Sequence, residues 1–431
     1  MQQEQAKKPK PLKWFYLTSS VFLFTNTLSL SLQGDEAIFT RYWLPLLAWL
    51  SCVMVAYYFT RRRLTNYDPL LLAIPMFLSG WGLIVIARLE PPFALRQALW
   101  MVLATAAMLF FATTPYVLQW LRRYRYILLV GGLGLLLSTI LLGQNPSQQP
   151  GAPQLWLNLG GVYFQPSEAL KIILVGFLAS YLSEQATILR HERLGKRGQL
   201  LALSPRIAGP VLLMWGISIV ILIWQRDLGT ATLFFIVFLI LLYVASGMSW
   251  ILFGGAILVI LAGIIAYFAF DVVQTRVDIW LNPWPEADGR AYQIVQSLMA
   301  FASGSIFGQG IYQGAPTYIP VIHSDFIFAA IAEEWGLLGV LVTLGAFALL
   351  TIRGLRVAIL LQKRPFYSLL ATGLSLLLGI QSLLIMGGVL KIVPLTGVTL
   401  PFLSYGGSSL LASFIMIGLL LRISTELDTL R

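Results

Sequence analysis

Apolar runs of close to 20 residues, separated by short polar stretches, recur from one end of the chain to the other. About twelve can be counted, beginning near Trp14, Tyr42, Leu70, Gln97, Tyr126, Ser167, Ile207, Thr230, Trp250, Phe326, Tyr367 and Ser409. A helix of that length spans roughly 30 Å, the thickness of a bilayer's hydrocarbon core. Lipid offers no partner to a backbone N–H or C=O, so each run is expected to form a helix, which bonds within itself. The pattern predicts an all-α polytopic integral membrane helix bundle of about twelve transmembrane helices.

Three stretches break the pattern. Residues 143–166 carry Gly151-Ala152-Pro153 as a turn and Trp156 as an interface aromatic, and Ser167 is placed to cap the helix that follows. Residues 271–323 form a long exterior loop, too long to be structureless inside a compact domain. Within it, Ile294, Val295, Leu298, Phe301 and Ala302 fall at helical spacing, which predicts an amphipathic helix over residues 292–303 lying on the outer membrane surface. Gly304, Gly308, Gly310 and Gly314 follow and are expected to form a flexible turn region. Residues 387–404, rich in Pro and Gly, are expected to dip back into the membrane, where protein must satisfy their backbone.

Composition agrees with the periodicity: 58% of the 431 residues are hydrophobic and 11% charged, against roughly 45–50% and 25% in soluble domains. A net charge of +11 would suggest nucleic acid in a soluble protein. Here 21 of the 29 basic residues fall in alternate connections and at both termini. By the positive-inside rule this bias puts the N-terminus, Arg61 to Arg63, Arg122 to Arg125, residues 190–206, residues 353–364 and the C-terminus in the cytoplasm. The basic excess therefore orients the chain and implies no nucleic acid. The first run lacks a cleavage site of small residues and is expected to be a retained helix. The single cysteine, Cys52, lies inside an apolar run and excludes a disulfide framework.

Ionisable side chains near the bilayer call for a function or a partner. The candidates are Glu168, Lys171, Arg226, Asp227, Asp325, Glu333, Glu334 and Lys391. Glu168 and Lys171 share a helix face as an i,i+3 pair, either orienting the helix end or meeting substrate. Glu333 and Glu334 need helix-to-helix partners or line a transport path. The exterior loop supplies Asp271, Asp278, Glu286, Asp288 and Asp325, with Glu286 and Asp288 in a polar turn after Asn282-Pro283-Trp284. Only His191 and His323 are present, on opposite sides, and there are no paired cysteines, so no metal-ligand constellation is expected.

Several segments together resemble the SEDS proteins of the RodA, FtsW and SpoVE group. They are Phe164-Gln165-Pro166-Ser167-Glu168, Gln225-Arg226-Asp227-Leu228-Gly229-Thr230, Tyr292-Gln293 with Gln296-Ser297, and His323-Ser324-Asp325-Phe326 with Glu333-Glu334. The run from Pro394 through Gly397, Pro401, Ser404, Gly406 and Gly407 to Ser409 completes the set. The resemblance covers residues 67–431; residues 1–66 look like a cytoplasmic N-terminus with two additional helices. It implies a peptidoglycan glycosyltransferase in the bacterial cytoplasmic membrane that polymerises lipid II at the outer face, for elongation or division, beside a class B penicillin-binding protein. The family's catalytic aspartate falls on Glu286 in an ungapped match, with Asp288 two residues on. The candidate substrate-binding set is Arg276, Arg290, Lys391, Lys171, Glu168, Asp325 and His323; of these Glu168, His323 and Asp325 lie in the segments that carry the resemblance. Charge on the departing diphosphate would be met by Arg276, Arg290, Lys391 or a divalent cation, Mg or Mn. The alternatives are a lipid II flippase or other transporter, which needs polar groups at the midplane, and a non-enzymatic scaffold. No inverted repeat of the transporter kind is visible.

Overall fold

The computed structural model describes residues 12–33, 39–146, 154–195, 216–217, 219–220, 223–224 and 227–427. The expected run from Ile207, the turn Gly151-Ala152-Pro153, the pair Gln225-Arg226 and most of the basic stretch 190–206 lie outside the described residues. Fourteen α-helices are present among the described residues. Ten helical segments are long and apolar enough to cross a membrane, and each coincides with an expected run or, for Pro91–Thr113, begins just before one. The run near Trp14 is also helical, α1 (Lys13–Gln33), but its many Ser, Thr and Asn residues make it less apolar than those ten.

The chain divides into two compact units. The first comprises residues 1–114, 266–353 and 381–431. Its centre is α3 (Leu70–Leu89), apolar on every side and buried on almost all of them, as expected of a helix that other helices surround. It packs with α1, α2 (Leu44–Arg63), α4 (Pro91–Thr113) and α14 (Gly407–Thr425). α1 meets α3 through Phe22, Phe77 and Trp81 rings 5.6–5.8 Å apart. From α2, Trp49 Nε1 donates to the Met76 carbonyl at 2.7 Å. The first two helices are therefore built into this unit's core. α4 and α14 approach closely enough that a Cβ on Gly418 would lie 2.5 Å from the Met108 carbonyl oxygen, the use that membrane helices make of small residues.

The second unit comprises residues 115–265 and 354–380. α5 (Val117–Arg123) leads into α6 (Arg125–Leu142), which packs on α7 (Pro166–Gly195); α7 also packs on α8 (Leu228–Ser246). α9 (Trp250–Ala269) is apolar all round and largely exposed, as a lipid-facing helix must be. A departure from the all-α expectation lies between α6 and α7. There β1 (Leu157–Leu159) pairs antiparallel with β2 (Val162–Phe164), Leu157 opposite Phe164, around a Gly160-Gly161 turn with φ of 61° and 88°. Two positive φ values are what a two-residue hairpin demands and glycine supplies them. α7 starts at Pro166, so Ser167 lies inside its first turn instead of capping it; its hydroxyl accepts from Gln165 Nε2 at 3.0 Å.

The expected exterior loop is ordered. α10 (Asp271–Leu281) is followed by a single 3-10 turn at Trp284–Glu286 and by α11 (Tyr292–Gly304). α11 does form where expected, but its apolar face is covered by protein: Ile294, Val295, Ser297 and Ala300 are buried, and Ser297 Oγ donates to the Val389 carbonyl at 2.9 Å. The glycines after it do not form a flexible turn. α12 (Ile327–Leu360) is broken at Gly336, where φ is 63° and ψ −158°. The break frees backbone groups, and the glycine loop takes them up. Gln309 N–H and Gly310 N–H donate to the carbonyls of Glu333 and Glu334, and Leu337 N–H donates to the Ser305 carbonyl at 3.0 Å. A Cβ on Gly308 would stand 2.2 Å from the Glu334 carbonyl oxygen, so only glycine permits this closeness.

The segment from the end of α13 (Pro365–Val389) to α14 is buried from Leu400 to Ser404. Side chains satisfy its backbone, as burial requires. Gln381 Nε2 donates to the Thr399 carbonyl at 2.8 Å, Gln97 Nε2 to the Ser404 carbonyl at 3.3 Å, and Leu400 N–H to Ser404 Oγ at 2.9 Å.

Candidate active site

In the first unit, α10, α11, the approach to α12 and the segment after α13 enclose a cleft of about 420 Å³. Its cations are Arg276 from α10, Arg290 from the turn before α11 and Lys391 from the end of α13; its carboxylates are Asp271 and Asp325. Apolar walls come from Ile279, Trp280, Val393 and Leu395. An apolar-walled concavity with a few convergent charges is the usual form of a small-molecule site.

Each cation is held. Arg276 Nη1 donates to the Thr396 carbonyl at 3.2 Å, and Gly397, at φ 71°, leaves room for the guanidinium: a Cβ there would lie 3.4 Å from Nη2. Lys391 has left-handed backbone, φ 59°, a conformation that costs a non-glycine residue on the order of 1 kcal/mol. Trp280 Nε1 fixes it by donating to the Lys391 carbonyl at 3.1 Å, while Lys391 Nζ donates to the Leu281 carbonyl at 3.4 Å. Asp325 is partly buried, and loss of water raises its carboxyl above the ordinary range. The Ser324 hydroxyl, 3.1 Å from Oδ1, and the nearby Arg276 pull it back down.

Glu286 stands beside the cleft and not in its lining. Both of its oxygens accept from Arg290, one turn on, which does line the cleft. This hydrogen-bonded pairing holds the Glu286 carboxyl below the usual carboxylate range, so it is ionised and able to accept a proton. Asp288 is exposed in the same turn.

Not every expected residue joins them. His323 packs edge-on against the stacked Phe93 and Tyr405 rings, at 5.0 and 5.7 Å, with Glu90 4.0 Å from Nδ1; burial lowers its pKa. It supports the chain beside Asp325 without lining the cleft. Glu168 and Lys171 form the expected pair, Nζ to Oε2 2.7 Å, but belong to the second unit, where both are buried. Glu333 and Glu334 have structural partners: Oε1 of Glu333 accepts from Ala315 N–H at 2.8 Å, Oε1 of Glu334 from Tyr312 N–H at 3.2 Å, and Arg88 lies 3.3 Å from Glu334. They anchor the glycine loop to α12. Among the described residues no three His, Cys, Asp or Glu side chains gather as a metal site. Sequence reasoning missed Arg88 as the partner of Glu334, and Trp280 as the residue that positions Lys391.

Residues 70–429 match the family described as cell cycle protein, FtsW, RodA and SpoVE. The chain belongs to that family. A relative from Mycobacterium tuberculosis, named peptidoglycan glycosyltransferase RodA, is 38% identical over 94% of this chain and 88% of its own length. One from Geobacter metallireducens, named probable peptidoglycan glycosyltransferase FtsW, is 32% identical over 85% of this chain and 96% of its own. The mycobacterial match exceeds what residues 67–431 alone could supply, so it reaches into the N-terminal helices. Among solved structures, a peptidoglycan synthase complex that coordinates polymerisation and crosslinking superposes with TM-score 0.67 at 25% identity, covering 84% of this chain and 98% of the other. RodA of Thermus thermophilus, at 24% identity and TM-score 0.59, shares the fold, with 84% and 97% covered.

Proposed function

We propose that this chain is a peptidoglycan glycosyltransferase that polymerises lipid II into glycan strands at the outer face of the cytoplasmic membrane, next to a class B penicillin-binding protein. Family membership supports the reaction. The observation that carries the site is the cleft itself, where Arg276, Arg290 and Lys391 converge with an ionised Glu286 bonded to one of them. The chemistry has two demands. A carboxylate must take the proton from the acceptor sugar hydroxyl as its oxygen attacks the donor's anomeric carbon. The bond from that carbon to the diphosphate breaks, and the diphosphate leaves with the electron pair and its negative charge. Glu286, or Asp288 beside it, serves as the base; Arg276, Arg290 and Lys391 stabilise the leaving group.

Transport is the weaker reading, because Glu333 and Glu334, the acidic pair it would recruit, are occupied in holding the glycine loop. The two separate on incubation of the purified chain, with and without a class B partner, with labelled lipid II. Polymer on a gel is expected; label crossing sealed vesicles with no polymer sinks the proposal in favour of a flippase.

The basic-residue bias orients the chain, with the turn at residues 285–289 outside and Arg61 to Arg63 inside. Reporter fusions after Asp288 are expected to be active only as exterior reporters, and fusions after Arg63 only as cytoplasmic ones. The reverse pattern would remove the cleft from the face where polymer is made.

A pH profile reads the Glu286–Arg290 pairing. Because Arg290 lowers the Glu286 pKa, the acidic limb of polymerisation lies below an ordinary glutamate's range in the parent. Arg290→Gln is expected to move that limb to higher pH, since the unpaired carboxyl binds its proton more tightly. A limb that stays in place would show that Glu286 is not the titrating base.

A further inference from the structure

Where α5 turns into α6, the second unit carries a cleft that glycosyl transfer does not use. It encloses about 360 Å³ and is lined by Gln119, Arg122, Arg123, Arg125, Tyr126 and Glu184. Arg125 is committed: it grips Glu184 with two bonds of 2.7 Å and donates to Ser180 Oγ at 2.9 Å. Arg122 and Arg123 are exposed and make no ion pair among the described residues. Three guanidiniums against one carboxylate leave two uncompensated positive charges around one small concavity. The guanidinium fork matches phosphate oxygens in pairs, so the chemistry points to a phosphate group.

The surroundings decide where that phosphate comes from. Tyr126 lines the cleft, and Trp120 and Tyr124 are next to its lining residues in the chain; the three are 46, 47 and 44% exposed. Such rings, apolar in body and polar at the tip, lie at the headgroup level of a bilayer. α6 enters its membrane span at Arg125 itself. The side is the one that the basic bias assigns to the cytoplasm.

We propose that this cleft binds the phosphate of an anionic phospholipid headgroup, with Arg122 and Arg123 as the ligands and Arg125, locked by Glu184 and Ser180, as the fixed wall. A general positive-inside bias would give basic residues here without a site. The Arg61 and Arg62 pair at the end of α2 provides the control: like Arg122 and Arg123, each of those guanidiniums lies over an aromatic ring, but neither lines this cleft.

The test uses the purified full-length chain in detergent, with bound lipid counted by native mass spectrometry during titration with phosphatidylglycerol or phosphatidylcholine. Phosphatidylglycerol is expected to bind about 25-fold more tightly than phosphatidylcholine, and each of the two arginines removed is expected to weaken it about fivefold. Arg122→Gln with Arg123→Gln should therefore abolish the preference, while Arg61→Gln with Arg62→Gln leaves it intact. Equal losses in both double variants, or no headgroup preference in the parent, would overturn the site. Displacement of phosphatidylglycerol by millimolar inorganic phosphate would assign the cleft to a soluble phosphate and overturn the lipid. Should the double glutamine variant melt at lower temperature, Arg122→Lys with Arg123→Lys keeps the charge. Retained preference then supports the proposal and lost preference contradicts it.

Discussion

Replacing both carboxylates of the turn, Glu286→Gln with Asp288→Asn, is expected to lower lipid II polymerisation by a factor of roughly a hundred to ten thousand, the contribution of a positioned general base. The single Glu286→Gln change should account for most of the loss. Glu286 is ionised by its bonds from Arg290 and sits one residue pairing from the cleft, whereas Asp288 is exposed in the turn beside it. A glutamate reaches one methylene further than an aspartate, so a Glu286 base would let its backbone stand back from the acceptor hydroxyl. That agrees with a side chain that borders the cleft through Arg290 instead of lining it. Both residues are at a solvent-accessible turn, where substitution costs little stability. Polymer yield at matched protein level, read with the melting temperature, separates lost chemistry from lost fold. A double variant that polymerises at the parental rate would move the base to another carboxylate, with Asp325 the next to try.

Arg276→Gln is expected to reduce the turnover rate by roughly a hundred to a thousandfold, the effect of removing one donor that faces developing charge. Glutamine is two bonds shorter and gives up the 3.2 Å bond to the Thr396 carbonyl, one hydrogen bond worth about 1 kcal/mol, so the segment after α13 loses little of its hold. What it loses is the charge proposed to face the diphosphate as its oxygen leaves the anomeric carbon. The loss should therefore fall on the rate at saturating lipid II and leave the melting temperature close to the parent's. If stability and rate fall together, Arg276 is a strut. Arg276→Lys, which restores charge without the fork, should recover part of the rate if charge is what matters.

How far the chain could be read before its structure was known follows from the range of each interaction. Local signals were legible. Apolar runs near 20 residues became helices because a buried backbone leaves no other choice, and the i,i+3 spacing of Glu168 and Lys171 became a 2.7 Å ion pair. The Gly160-Gly161 hairpin had a signal as well, two glycines between alternating apolar residues, and could have been found. Tertiary facts were not legible. The glycines after α11 look like a flexible linker until the break at Gly336 exposes the carbonyls they serve. Likewise α11 shows an apolar face that either lipid or protein could cover, and Val389, far along the chain, decides for protein. In the candidate site, the need for positive charge picked out Arg276, Arg290 and Lys391 and motif matching picked out Asp325, but their convergence depends on α10, α11 and the end of α13 meeting. Motif matching also included His323, which serves packing because its ring lies edge-on against the stacked Phe93 and Tyr405.

Glycosyl transfer at this cleft makes one stoichiometric demand that no transporter or scaffold shares: each glycosidic bond formed must release one polyprenyl diphosphate. The decisive measurement follows both products in time from doubly labelled lipid II, using the purified chain with its class B partner held inactive for crosslinking. Equal amounts of new glycosidic bond and free polyprenyl diphosphate, both falling together in the Glu286→Gln, Asp288→Asn variant, are the expected result. Lipid II that is bound or moved across the bilayer without diphosphate release, or polymer formed at the same rate when this chain is left out, would contradict it.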